Sequence, residues 1–227
     1  LGNGMRFGTT VTGSYTHYAD ENGGNFVSDS LNWYSNGSIH AEVFVETDVE
    51  TGFGLLTIAP SYAIRAEEGD DRVAALGLIS HQLAVDASLA MTDTLSLHAG
   101  AAVAFNNYDV VFALASRDRD AVFYEVYGGA TIPVFGFAPF DVEIALQEND
   151  SDGSDWAWSG VELRLDRSFL ITEDLLGSLS LDYGWRDYDT VAFTDLDPAG
   201  RGRGGQEFLR AGLGFDYLLT ETSAIGA

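Results

Sequence analysis

Long runs in which apolar and polar residues alternate one by one dominate this sequence and constrain its fold more than any other feature. Leu95, Leu97, Ala99, Ala101, Val103 and Phe105 alternate with Ser96, His98, Gly100, Ala102 and Ala104. Val161, Leu163 and Leu165 alternate with Glu162, Arg164 and Asp166, and Leu179, Leu181, Tyr183 and Trp185 with Ser180, Asp182 and Gly184. Near the end, Leu209, Ala211, Leu213, Phe215 and Tyr217 alternate with Arg210, Gly212, Gly214 and Asp216. Similar runs cover 39–46, 83–89 and 140–147. Successive side chains of a β-strand point to opposite faces, so a repeat of two sets each strand between an apolar and a polar environment. Helical periodicity is scarce, and no run reaches the roughly 18 apolar residues of a membrane-spanning helix. If this chain enters a bilayer, it does so as strands.

The runs divide the chain into about ten strands, at 5–19, 30–47, 53–66, 72–90, 95–111, 120–132, 139–148, 155–170, 176–190 and 207–219. The segments between them alternate in kind. Those at 48–52, 91–94, 133–138 and 171–175 read as short turns, and another begins after Leu219. Those at 20–29, 67–71, 112–119, 149–154 and 191–206 are mostly longer and more polar. Short turns at one end and long loops at the other characterise transmembrane barrels. The expected fold is therefore all-β: one antiparallel up-and-down transmembrane β-barrel domain over 1–227. The residues after Tyr217 leave room for a count of twelve and for a chain cut at either end.

Two environments could hold the apolar face. In a soluble sandwich it is the core between two sheets; in a membrane barrel it meets lipid, and the polar face lines the interior. Long strands favour the barrel, as do aromatics near the ends of the apolar faces (Tyr15, Tyr18, Phe105, Tyr108, Tyr183, Trp185, Phe215, Tyr217) and small residues on the polar faces. The sandwich, as an acidic surface or adhesion module, stays open as the alternative.

Charge narrows the partners. Thirty-five acids against 11 bases give a net charge of −24; the sequence has no lysine, so every base is arginine. Such a chain does not seek nucleic-acid phosphates. There is no cysteine, hence no disulfide or thiolate metal site. Leu1-Gly2-Asn3-Gly4 does not read as an export signal, so the chain looks mature or trimmed.

The stretch from Val161 to Thr220 resembles the closing strands of bacterial outer-membrane β-barrels of the porin and export type. Arg210-Ala-Gly-Leu-Gly-Phe-Asp-Tyr217 is similar to their assembly signal of polar, any, Gly, two of any, hydrophobic, any, hydrophobic. The same loose pattern fits His98 to Phe105 and Tyr127 to Val134, and the chain ends in Ala227 rather than a terminal aromatic. The texture is also similar to surface-lipoprotein assembly modifier barrels. The resemblance implies a bacterial outer-membrane location, with lipid, the barrel-assembly machinery and other envelope proteins as partners. It implies a narrow channel or the membrane component of an envelope or export assembly.

Candidate chemistry is sparse. Ser35-Asn36-Gly37 echoes the His-x-Ser-Asn-Gly motif of outer-membrane phospholipases, but Trp33 stands where the histidine belongs. The four histidines, His17, His40, His81 and His98, form no catalytic pattern, so the chain reads as non-enzymatic, with an outer-membrane hydrolase as a further alternative. No cofactor is implied, except for weak calcium binding at the acidic segment Glu148 to Asp155, through Asp150, Asp152 and Asp155. The polar face is the best lead. Strand parity turns Glu46, Asp86, Glu125, Asp141, Glu143, Glu162 and Arg6 inward, and a lumen charge network is expected from Glu42, Arg164, Asp166, Asp182, Arg186, Arg210 and Asp216. Pairing across 171–175 sets Arg164 beside Asp182, with Asp166 near. Such a network either plugs a narrow interior or lines a cation pathway.

Overall fold

The β-branched and aromatic residues within the alternating runs favour extended backbone. The computed structural model describes residues 4–16, 36–69, 77–108, 120–133, 139–153, 156–172, 175–189, 205–220 and 223–226. The strands are β1 (Met5–Thr16), β2 (Asn36–Thr51), β3 (Gly54–Gly69), β4 (Leu78–Ala90), β5 (Ser96–Tyr108), β6 (Ala121–Ile132), β7 (Phe140–Ser151), β8 (Trp158–Thr172), β9 (Leu175–Tyr188), β10 (Gly205–Thr220) and β11 (Ser223–Gly226). They form one antiparallel sheet in which every strand pairs with its neighbours in sequence. The shortest of the first ten has 12 residues, well beyond the five or six of a typical strand.

Several boundaries shift from expectation, among them the end of β2, at Thr51 rather than 47, and the end of β3, at Gly69 rather than 66. β4 starts at Leu78 rather than 72, and β8 at Trp158 rather than 155, because a turn bond from Trp156 N to Gly153 O at 2.9 Å delays re-entry. β7 runs on to Ser151, so Asn149 to Ser151 are strand residues rather than part of a loop. The connections still alternate, with 52–53, 91–95, 133–139, 173–174 and 221–222 at one end and 17–35, 70–77, 109–120, 152–157 and 189–204 at the other.

Threonines close two turns at the first end. The Thr51 hydroxyl donates to Gly54 O at 2.7 Å and accepts from Phe53 N at 3.2 Å. Thr92 Oγ1 accepts from Leu95 N at 3.0 Å. Gly54 has φ of +146° and packs against the Ala90 carbonyl, leaving no room for a β-carbon. Pro60 lies within β3, where it offers no N–H, and the β2–β3 ladder skips Val45–Glu46 opposite Ala59–Pro60 without changing register.

Burial is inverted relative to a soluble protein. Phe7, Val11 and Leu209 are 75%, 74% and 67% exposed, and Val43, Leu83, Val126, Ile144, Leu146 and Leu213 are all more than half exposed. The buried apolar residues are mostly alanines, whereas Glu162 is 1% exposed and Gln147 8%. The polar face is the inner one: residues of β2, β3, β4, β5, β6 and β9 line one shared cavity, so the sheet curls around that face. Among the described residues no ladder joins β1 to β10 or β11, and the sheet is open between them. It is also a single sheet with its apolar face uncovered, rather than two sheets with apolar faces together.

The inner face packs large side chains over small ones. Phe44 covers Gly8, Tyr127 covers Gly100 and Phe208 covers Gly184, each pair being direct cross-strand partners. Aromatic rings laid over strand glycines hold register and permit a tight curve. One of the aromatics expected on the apolar faces needs correction: Tyr108 lines the inner cavity. It stands three positions from the outward Phe105, and odd spacing on a strand reverses the face. Phe105, Tyr183, Trp185 and Phe215 do lie exposed on the outer face, joined by Tyr124. Tyr18 and the side chains of Tyr15 and Tyr217 lie outside the described residues.

Candidate functional site

Register assembles the charges. His98 on β5 pairs with Gly129 on β6, Gly129 with Glu143 on β7, Glu143 with Arg164 on β8, Arg164 with Asp182 on β9, and Asp182 with Arg210 on β10. A straight row across six strands thus reads histidine, gap, minus, plus, minus, plus. Gly129 supplies the gap, and the His98 ring lies across it, with Nε2 3.4 Å from Glu143 and Nδ1 3.6 Å from Asp141.

The expected neighbours Arg164 and Asp182 are in register, but the guanidinium of Arg164 turns the other way, toward β6 and β7. Its Nη1 donates to Glu143 Oε1 at 2.7 Å, and its Nη2 donates to Glu125 Oε2 at 2.6 Å and Glu162 Oε2 at 3.1 Å. Asp182 instead lies 3.5 Å from Arg210 Nε. Arg210 also bonds Glu162 and packs its guanidinium 4.9 Å from the Phe208 ring centre. Gln147 ties the cluster together, donating to Glu125 Oε2 at 2.6 Å and Glu162 Oε2 at 2.9 Å.

Glu162 is the pivot. Its cross-strand neighbours are Ala145 and Gly184, so small residues on both sides leave it room to lie within the cluster. A carboxylate this deeply buried is tolerated only when charge and hydrogen bonds meet both oxygens. Oε1 takes Arg210, and Oε2 takes Arg164 and Gln147.

The other expected members are dispersed. Asp166 faces Asp141 across β7–β8, one carboxylate beside another, at the edge of the row nearer the short connections. Glu42 stands on β2 between Thr10 and Ala63, apart from the cluster's bonds. Arg186 lies toward the opposite end of β9 and stacks on aromatics, 4.2 Å from the Trp158 ring centre and 4.8 Å from that of Phe208. Asp216 is in register with Leu176, and its side chain lies outside the described residues.

Strand parity had turned Glu125, Glu143 and Glu162 inward but had not joined them to the network, and Gln147 was missed altogether. The signal for Gln147 was available, because it shares parity with Glu143 on β7. Of the calcium candidates, Asp150 is exposed near the end of β7, Asp152 is exposed with its backbone N–H bonded to Asp120 O at 2.8 Å, and Asp155 lies outside the described residues. Among the described residues no group of three or more acids or histidines is arranged to hold a metal ion. Ser35 likewise falls outside them, and His40 lines the inner cavity.

No protein-family model matches the chain, and no curated protein is similar to it. The functional reading therefore rests on geometry.

Proposed function

We propose that this chain is a bacterial outer-membrane β-barrel protein without enzymatic activity. Its role is that of a narrow, ionically plugged membrane component of an envelope or export assembly. The observation that carries the reading is the inversion of burial: a continuous outer surface of exposed Phe, Val, Leu and Ile over an inner face that buries Glu162 and Gln147. In water an apolar surface spread over ten strands is an aggregation surface; against hydrocarbon it is the favoured one. Strands of 12 residues or more also exceed the roughly 9–11 needed to cross a bilayer. In this reading β1 meets the far edge of the sheet in the membrane, since an open edge in lipid leaves backbone groups unsatisfied. Lipid and the barrel-assembly machinery are then its obligatory partners, and other envelope proteins its functional ones.

The ionic row favours a plugged interior over an open pore, because Glu125, Glu143 and Glu162 are tied to Arg164 rather than left to line a water-filled path. The test is extraction and mobility. The folded protein is expected to need detergent, to migrate differently on gels before and after boiling, and to give little conductance in planar bilayers. A monodisperse protein in detergent-free buffer overturns the membrane reading, and a large steady conductance overturns the plug.

A further inference from the structure

Toward the long-connection end from the ionic row, the inner face holds a cavity of about 520 Å³, within the size range of small-molecule sites. Its lining is chemically unlike the rest of the molecule. In a chain with 35 acids and 11 bases, it includes two arginines, Arg65 and Arg186, and a histidine, His40, but no carboxylate among the described residues. Leu78, Ala104 and Phe123 add an apolar wall.

Arg186 is the unusual residue. Its cross-strand neighbours are Gly160 and Gln206, so neither strand sets an acid opposite it. A β-carbon on Gly160 would press on Arg186 Cγ and the Trp185 carbonyl, so glycine lets the arginine lie flat over β8. The guanidinium is held between Trp158 and Phe208, at 4.2 and 4.8 Å from their ring centres. Its Nε is shut off from solvent and has no hydrogen-bond partner among the described residues. Aromatic faces steady a cation but do not take its N–H hydrogens. An arginine fixed by stacking, with no hydrogen bond from its guanidinium among the described residues and beside a cavity whose described lining holds no carboxylate, has the character of a recognition group for a planar oxyanion. Arg65, by contrast, already pairs with Glu67.

We propose that this cavity binds a small organic carboxylate with a compact apolar body, the carboxylate on Arg186 and the body against Leu78, Ala104 and Phe123. The proposal does not depend on the membrane reading, because the cavity belongs to the folded chain in either setting. The test is calorimetric titration of the full chain, in detergent or in buffer as its solubility requires, with benzoate and its uncharged isostere benzamide. Benzoate is expected to bind at least tenfold more tightly than benzamide. Arg186→Gln is expected to abolish that preference, and Arg186→Lys, which keeps charge but loses the flat stacking fork, to retain only part of it.

Equal binding of benzoate and benzamide by the unaltered protein overturns the proposal, as does a folded Arg186→Gln that keeps the preference. Should Arg186→Gln fail to fold, the two ligands on the unaltered protein still decide the matter. Inorganic phosphate binding as tightly as benzoate overturns the assignment of the apolar wall.

Discussion

Arg6 and Arg164 both hold more than one carboxylate, yet they sit in opposite circumstances. Arg6, on the edge strand β1, reaches Glu46 and Asp48 at 2.9 Å each with its side chain 57% exposed. Arg164, on β8, reaches Glu125, Glu143 and Glu162 with its side chain 26% exposed and Glu162 almost wholly enclosed. Exposed pairs compete with water and salt and contribute little. Enclosed charges have lost water, so each depends on the partners that replace it, and removing one leaves the others uncompensated. Equal geometry thus carries unequal weight: β6 to β8 hold a structural cluster, whereas β1 and β2 hold a surface decoration.

The sharpest way to break this contrast is Arg164→Met. It leaves three carboxylates facing one another, and a loss of about 3–5 kcal/mol is expected, as for other broken buried ion pairs. Denaturant unfolding in micelles or lipid measures it, and a loss as small as that of an exposed pair erases the distinction.

Val126→Arg probes the outer face of the same region. In a bilayer, an arginine at this exposed site on β6 costs about 2–4 kcal/mol if it lies near the midplane. Comparing stability in lipid with that in a detergent of small micelles tests the setting, and no change in either speaks for a water-facing surface.

Gly184→Val sharpens the packing side. The added carbons meet the Phe208 ring, and overpacking of this kind costs about 1–3 kcal/mol. Displacing Phe208 also loosens one wall of the Arg186 sandwich, so the variant is expected to weaken benzoate binding as well. Gly13→Val, where among the described residues only the Ser38 carbonyl lies near, serves as the control and is expected to be tolerated.

The smallest effect belongs to Arg6→Gln, for which no resolvable change in the unfolding midpoint is expected. A clear loss there shows that β1 is enclosed in the assembled protein, as closure against the far edge of the sheet requires.

The strand pattern was legible in the residues because a period of two is a local property: each residue's face follows from its neighbours alone. The alternation of Leu, Tyr and Trp with Ser, Asp and Gly at 179–185 marks β9 and its two faces without reference to any other strand. The Arg164–Asp182 pairing across the 173–174 connection was legible too, because a short connection sets register. What the network bonds to was not. Long side chains choose among neighbours one and two strands away, and that choice depends on which intervening positions are small. Gly129, Ala145 and Gly184 are the gaps that let His98 and Glu162 reach their partners, and their effect emerges only when strands are laid side by side.

Arg186 makes the same point. By parity it is one more inward base, and sequence places it with Arg164 and Arg210. Only the tertiary structure shows that its neighbours are a glycine and a glutamine, that two aromatic rings clamp it, and that it borders a cavity free of carboxylates among the described residues. The amino-acid sequence by itself determined strand, face and order, which are set by local alternation and connection length. The tertiary structure decided which charges are enclosed and which remain unanswered, because burial and partnership are properties of neighbours far apart in the chain.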